Sequence, residues 1–581
     1  MGWHWIPALV AAGMVSACSP IAWLGPSKGT PPDWGRVDLG LSAQEKALGA
    51  FSRGEIALRN GDPGYAIVAY EQAAQLDPGR PRVHGRLAHL HVRNGDLESA
   101  VPHARAAVAG NPDDDFSRTL LAGALAGLGR NDEAVAEYEE IIRRKPDVTE
   151  PYLLLASLHN QRRDNAAGVA VLTALIANDP DSVMGHYYLG RLHASAGRLD
   201  ESEQAFREAL RLNPRSTPVL TDLALTMEMR KEPERAAALY RRVLALDPQN
   251  SMARERLGAV LVGQKKFTEA LTHFRALENI ETDPSETRVK IALIYLEQGD
   301  YDRAATELEL VARADPGDPD VHYYLGITYS ELGRPGTAVE HLELVRRGTP
   351  LYPDARLQLA YLAQRRGDID ASILAINEAI RARPDAPGLV AFLVALEREN
   401  GNLAHAVELA RDLADANPDN DQFRFTLGAL QDEAGNRDAA IATMRETIAL
   451  NPRNSEALNY LGYTFAEEGR NLDEAEKLVL RALEIDPNDG FYMDSLGWVY
   501  FQQGRYQRAV EKLERAVELT GDDPTIQEHL GDAYRQAGRE TEARRLYRNA
   551  AASASGEEQR LRIERKLRSE GHAGNGNESH L

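Results

Sequence analysis

Residues 461–487 read L-G-Y-T-F-A-E-E-G-R-N-L-D-E-A-E-K-L-V-L-R-A-L-E-I-D-P. Apolar residues recur at helical spacing on both sides of Gly469, and Pro487 ends the run. The pattern predicts two short amphipathic helices with a turn between them and a proline stop. Nearly the whole chain repeats it.

Stepping back from Gly462 in units of 34 gives Gly428, Val394, Ala360, Gly326, Ala292, Gly258, Ala224, Gly190, Ala156, Ala122, Ala88 and Gly54. Stepping forward, Gly497 is 35 away and Gly531 a further 34. Fourteen of these fifteen residues are Gly or Ala. Val394 is the bulky exception and predicts a locally splayed hairpin. A second column holds helix-ending prolines, Pro78 to Pro248 and then Pro316 to Pro452, with a slip of two residues at Pro284. Proline lacks the N–H and clashes with the preceding turn, so it cannot continue a helix. A third column, from Gly61 to Gly538, marks the turn inside each unit, where glycine tolerates the left-handed conformation. A fixed period in this range signals a solenoid whose units stack on their neighbours.

The spacing resembles the tetratricopeptide repeat at its diagnostic places, as at Leu189, Gly190, Phe206, Ala209 and Pro214, and again at Leu496, Gly497, Tyr500, Tyr506, Ala509, Leu513 and Ala516. The resemblance implies an all-α, right-handed superhelical solenoid of about fifteen helix-turn-helix units over 44–555. After it, Leu561, Ile563 and Leu567 give 556–570 a narrow apolar face, read as a capping helix over the last exposed interface. The polar, glycine-rich 571–581 reads as a disordered tail.

The chain has 581 residues, a formal net charge of -21 and one cysteine. Fifteen units of 34 occupy about 510 positions, which leaves no space for a catalytic domain of ordinary size, ~100 residues or more. The acidic balance argues against nucleic-acid binding, which needs a basic footprint. There is no HExxH, CxxC, P-loop or GxSxG spacing. His84, His89 and His91 are the closest histidine group, and they read as mixed core and surface residues rather than a metal site. No enzyme, cofactor or metal is expected.

The N-terminus carries an apolar run of signal-peptide length over 1–17, too short to span a bilayer as a mature helix. Val15-Ser16-Ala17-Cys18 resembles a bacterial lipobox, and the lone cysteine falls at its modified position. In that family a diacylglyceryl group joins the cysteine sulfur. Ser19 in place of a retaining aspartate implies export to the outer membrane. The Pro- and Gly-rich 18–43 reads as a tether between lipid and solenoid.

If each unit is numbered so that Gly462 and its equivalents are position 8, the family's inner, concave surface is lined by positions 2, 5, 9, 12 and 13. No Lys–Asn pair of the family's carboxylate clamp appears at positions 5 and 9. In units twelve to fourteen the inner positions hold Phe425, Tyr463, Trp498 and Phe501, with Asn459, Asp494 and Gln502 nearby. Aromatic side chains there suit capture of a partner protein segment, with Trp498 the leading contact residue. The alternative is that the rings pack on one another or against the capping helix.

Over nearly its full length the layout resembles bacterial tetratricopeptide lipoproteins, among them adaptors that bring a carboxyl-terminal-processing protease together with cell-wall hydrolases. That resemblance implies a scaffold anchored to the outer membrane on its periplasmic face, binding proteins or peptide segments. The alternative is an assembly factor for a secretion, pilus or exopolysaccharide machine.

Overall fold

The computed structural model describes residues 41–521 and 523–568. Cys18, the signal peptide, most of the tether and the 571–581 tail lie outside them. Among the described residues there are thirty-one helices and no strand. Thirty of them pair as fifteen hairpins, each with a first helix (A) and a second helix (B), and the last, Glu557–Arg568, follows alone. No described helix is long and apolar enough to cross a membrane.

The small-residue column is where each A helix meets its B helix. A Cβ on Gly190 would lie 2.6 Å from Phe206, and one on Gly497 would lie 2.5 Å from Leu513. The partner stands sixteen residues on in nearly every hairpin. Glycine faces Tyr70, Phe206, Phe274, Met444 and Tyr547. Val394 is buried all the same, in a cluster with Ala406, Val407 and Ala410. The position sixteen residues on from Val394 is Ala410, so the bulk has moved from one helix to the other.

The turn column behaves as its glycines predict: Gly61, Gly95, Gly129 and the nine others have φ between 64° and 79°. The three places where the column lacks glycine take the same left-handed conformation, with φ of 60° at Arg163, 60° at Lys231 and 57° at Lys265. The inserted Asn471 is also left-handed, at φ 52°.

The proline column has a second use. Its carbonyls accept hydrogen bonds from the side chain six residues on: His84 to Pro78 (2.9 Å), Tyr152 to Pro146 (3.1 Å), His186 to Pro180 (3.1 Å) and His322 to Pro316 (3.0 Å). Each ties the start of an A helix to the loop before it and satisfies a carbonyl that the broken helix leaves open.

Two irregularities stand out. The chain divides into two compact units between Thr282 and Asp283, within the lengthened loop that carries the proline slip. The first holds hairpins 1 to 7, the second hairpins 8 to 15 and the terminal helix. Helix 9B, Pro335–Glu343, has nine residues where most B helices have fourteen. The period gives no warning of this, since Pro350 is in phase. Locally, Gly348 takes φ 93° and the chain turns before helix 10A begins at Tyr352.

Candidate functional site

The aromatic positions of hairpins 13 and 14 converge on a group that the sequence reading did not include, His529. Helices 13A (Ser455–Glu467), 14A (Gly490–Gln502) and 15A (Pro524–Gln536) present their position 5 and 9 residues side by side. Helix 14A starts where Asp489 accepts from the N–H groups of Phe491 and Tyr492. Its core side buries Leu496, Gly497 and Val499, which fixes the rotation that turns Asp494, Trp498 and Phe501 to the other side.

Asp494 and His529 are 6% and 8% exposed. His529 Nδ1 is 2.9 Å from Oδ1 and 3.1 Å from Oδ2 of Asp494. Burial works to lower the imidazole's affinity for a proton, but the Asp494 charge and hydrogen bond, with Asp532 and Glu528 adding to them, outweigh it and raise it. Trp498 stacks on the His529 ring with centroids 4.2 Å apart and planes 19° apart. Phe501 stacks on Trp498 at 4.7 Å and 5°. Two flat rings that close cannot share one face of an indole without colliding, so His529 and Phe501 take opposite faces. Tyr463 leans toward His529 at 6.4 Å. Burial, then the charges of Glu467 and Asp494, push its phenol up.

The rings do pack on one another. Trp498 has both faces taken and offers a partner its edge, and Phe501, which also meets Tyr506 at 5.6 Å, and Tyr463 are half-buried like it. Gln502 is half-buried one residue beyond Phe501. Asn459 is half-buried one turn before Tyr463, and its Oδ1 is closed off from solvent without a hydrogen-bond partner. Phe425 is half-buried on helix 12A (Asp421–Glu433) and takes no part in the stack. Phe491, at position 2 of helix 14A, is 57% exposed. The register used for the other inner positions would have found it.

The terminal helix lies where the A helix of a sixteenth hairpin would stand. Its contacts repeat the 34-residue period: Gln559 to Thr525 (3.1 Å), Arg562 to Glu528 (3.0 and 2.8 Å) and Lys566 to Asp532. Lys566 also reaches Glu528 at 2.8 Å, and Ile563 is fully buried in the last core cluster. Glu528 is 2% exposed. Burial would raise its pKa, but Arg562 and Lys566 hold it below the usual carboxylate range.

The histidines at the other end form packing contacts. His84 and His103 meet Nδ1 to Nδ1 at 3.0 Å, and His91 lies parallel to His103 at 5.7 Å. His322 and His341 repeat the 3.0 Å contact at the same two positions seven units later. Among the described residues no group of three or more histidine, cysteine or acidic side chains is arranged to hold a metal.

Comparison with known proteins agrees with the architecture. Two family profiles described as Tetratricopeptide repeat match residues 57–122, 92–158, 261–326 and 295–350, and residues 325–387, 357–421, 425–490 and 495–558. A third, described as Cytochrome c-type biogenesis protein H TPR domain, matches 168–289. Anaphase-promoting complex subunit 7 of Arabidopsis thaliana is 27% identical over 195 residues, 32% of this chain and 34% of its own length. A TPR repeat-containing protein of Methanocaldococcus jannaschii is 23% identical over 204 residues, 35% of this chain and 32% of its own. The chain thus spans about a third of the length of the curated relatives it matches. The solved structure of Pseudomonas aeruginosa pilF is 21% identical, covers 36% of this chain and 96% of that one, and superposes with a TM-score of 0.30. The Tetratricopeptide repeat matches together take in more than half of the chain, which belongs to the tetratricopeptide-repeat proteins.

Proposed function

We propose that this protein is a scaffold without catalytic activity, held to the periplasmic face of a bacterial outer membrane through a lipid on Cys18, that binds partner proteins on the A-helix face of its late hairpins. The observation that carries the binding surface is the Phe501–Trp498–His529 stack, seated on the Asp494–His529 pair and flanked by the exposed Phe491. A ring group fixed by a buried ion pair is preorganised, so a partner that docks on it need not order it first. The client assigned here is an envelope protease together with its substrates.

A second reading, an assembly factor for an envelope machine, is favoured by the match of 168–289 to the repeat domain of a cytochrome c-type biogenesis protein. Affinity capture from detergent-solubilised membranes separates the two. Recovery of a protease with cell-wall hydrolases supports the first, and recovery of secretion, pilus or synthase subunits supports the second. Trp498→Ala is expected to weaken capture without unfolding the repeats, and unchanged capture would remove the stack as the binding surface. Palmitate labelling that persists in Cys18→Ser would remove the anchor.

A further inference from the structure

The two compact units carry opposite charge along their A helices. In hairpins 8 to 13, nine of the twelve residues at positions 2 and 13 are Asp or Glu, and one, Arg365, is basic. In hairpins 1 to 7, one of the fourteen, Glu150, is acidic and three are arginine. Positions 2 and 13 lie eleven residues apart on one helix, about 16 Å along its axis at 1.5 Å per residue. The acidic residues therefore form two rows that flank the A-helix face of the second unit. Asp320, Glu331, Glu399, Glu433, Glu456 and Glu467 are exposed. The rows lead to the ring group of hairpins 13 and 14, where Phe491 is 57% exposed.

We propose that this face of the second unit takes a lysine- and arginine-rich segment of a partner protein, with apolar residues that seat on Phe491, Phe501 and Tyr463. The inference rests on the scaffold reading above and names the chemistry of its partner. At the stacking end of hairpin 15, where the next A helix would stand, Glu528 and Asp532 hold Arg562 and Lys566 of the terminal helix, so A-helix carboxylates of this unit do pair with basic groups four residues apart on a helix. Glu286, Asp354, Glu433 and Glu467 already pair with Lys290, Arg383, Arg398 and Arg437, and the charge that favours a cation over a carboxylate comes from Asp320, Glu331, Glu399 and Glu456. Guanidinium and ammonium groups also bind ring faces, and Phe491, 57% exposed, stands beside the carboxylates.

The test uses the full chain and two fluorescein-labelled 15-residue peptides, one of arginine, leucine and serine and one with glutamate in place of each arginine. The arginine peptide is expected to bind, and to lose about tenfold in affinity as salt rises from about 50 to 300 mM. Glu331→Gln, Glu399→Gln and Glu456→Gln together are expected to cost about tenfold, and Phe491→Ala about fivefold, with unchanged helical circular dichroism. Glu150→Gln in the first unit serves as the control and is expected to change nothing. Equal binding of the glutamate peptide, or wild-type affinity in the triple variant, overturns the proposal. A native partner crosslinked to the wild type and retained undiminished by the triple variant also overturns it, but leaves the scaffold reading standing. No native partner on the wild type counts against that reading itself.

Discussion

The carboxylate of Asp494 and Nδ1 of His529 lie 2.9 Å apart, on neighbouring A helices, with Trp498 stacked over the imidazole. Both side chains are almost fully buried, so each supplies most of the other's compensation for lost water. Removing one partner leaves a buried group uncompensated, and Asp494→Ala is expected to cost about 3–5 kcal/mol in hairpins 14 and 15. The sign of the pH effect follows from the raised affinity of His529 for its proton. A group that binds a proton more tightly when folded contributes its full stability below its unfolded pKa, about 6.5 for histidine, and loses it as pH rises through the folded value. The opening free energy of hairpins 14 and 15, taken from amide exchange relative to the intrinsic base-catalysed rate, is therefore expected to fall as pH rises from neutrality. An opening free energy that stays constant or rises with pH would refute the charged pair.

The opposite sign is expected at hairpin 2. His84 Nε2 faces the Pro78 carbonyl, so it carries the proton and leaves Nδ1 bare to accept from His103 Nδ1–H. Burial, then the charges of His84 and His91, lower His103 to about 4. The unfolded chain takes up the proton first, so stability is complete above about 6.5 and lost as pH falls toward 4. For this half-buried ring the loss is expected to be about 1–2 kcal/mol after allowance for solvent screening. His103→Leu should remove the acid slope from amide exchange in hairpin 2 while leaving that of hairpins 14 and 15.

Much of the fold is a matter of one-dimensional spacing, and spacing is what a sequence displays. The small-residue, proline and glycine columns each reflect a local constraint: a close approach, a broken helix, a left-handed turn. The candidate site is legible only in part. Asp494 and Trp498 follow from the register, but their meeting with His529 depends on side chains 35 and 31 residues apart on different hairpins. A search for complementary chemistry one unit plus one residue away would have found it, since Tyr187 and Asp222 make the same step with a 2.9 Å hydrogen bond. The packing of Trp498 on Phe501 was one of the two readings the register left open, but the place of His529 on the other face of the indole depends on rotamers and was not legible. Nor was the early end of helix 9B, because its proline keeps the period.

The turn column gives a test of backbone strain. Lys231 and Lys265 hold φ of 60° and 57° where twelve other hairpins place glycine. A left-handed residue with a Cβ costs roughly 1–2 kcal/mol relative to the right-handed form. Lys231→Gly and Lys265→Gly are each expected to raise stability by about 0.5–1 kcal/mol, less than the strain relieved because the freedom glycine gains in the unfolded chain offsets part of it. Denaturant melts of the single and double variants check this. The two sites are in different hairpins, so the gains should add.

The exchange of bulk between Val394 and Ala410 predicts a coupling that neither position alone would reveal. In most other hairpins a large B-helix side chain stands opposite glycine or alanine, as Met444 does against Gly428. In hairpin 11 the large residue is Val394, 2% exposed, and Ala410 is 1% exposed with no room beside it. Ala410→Met alone should overpack the interface and cost about 1–3 kcal/mol. Val394→Gly alone should open a cavity and loosen a helix, at about 2–4 kcal/mol. Together they restore the arrangement of hairpin 12, so the double variant should be more stable than the sum of the single losses by about 1–3 kcal/mol. Strict additivity in a denaturant melt would mean that the two side chains do not share one space.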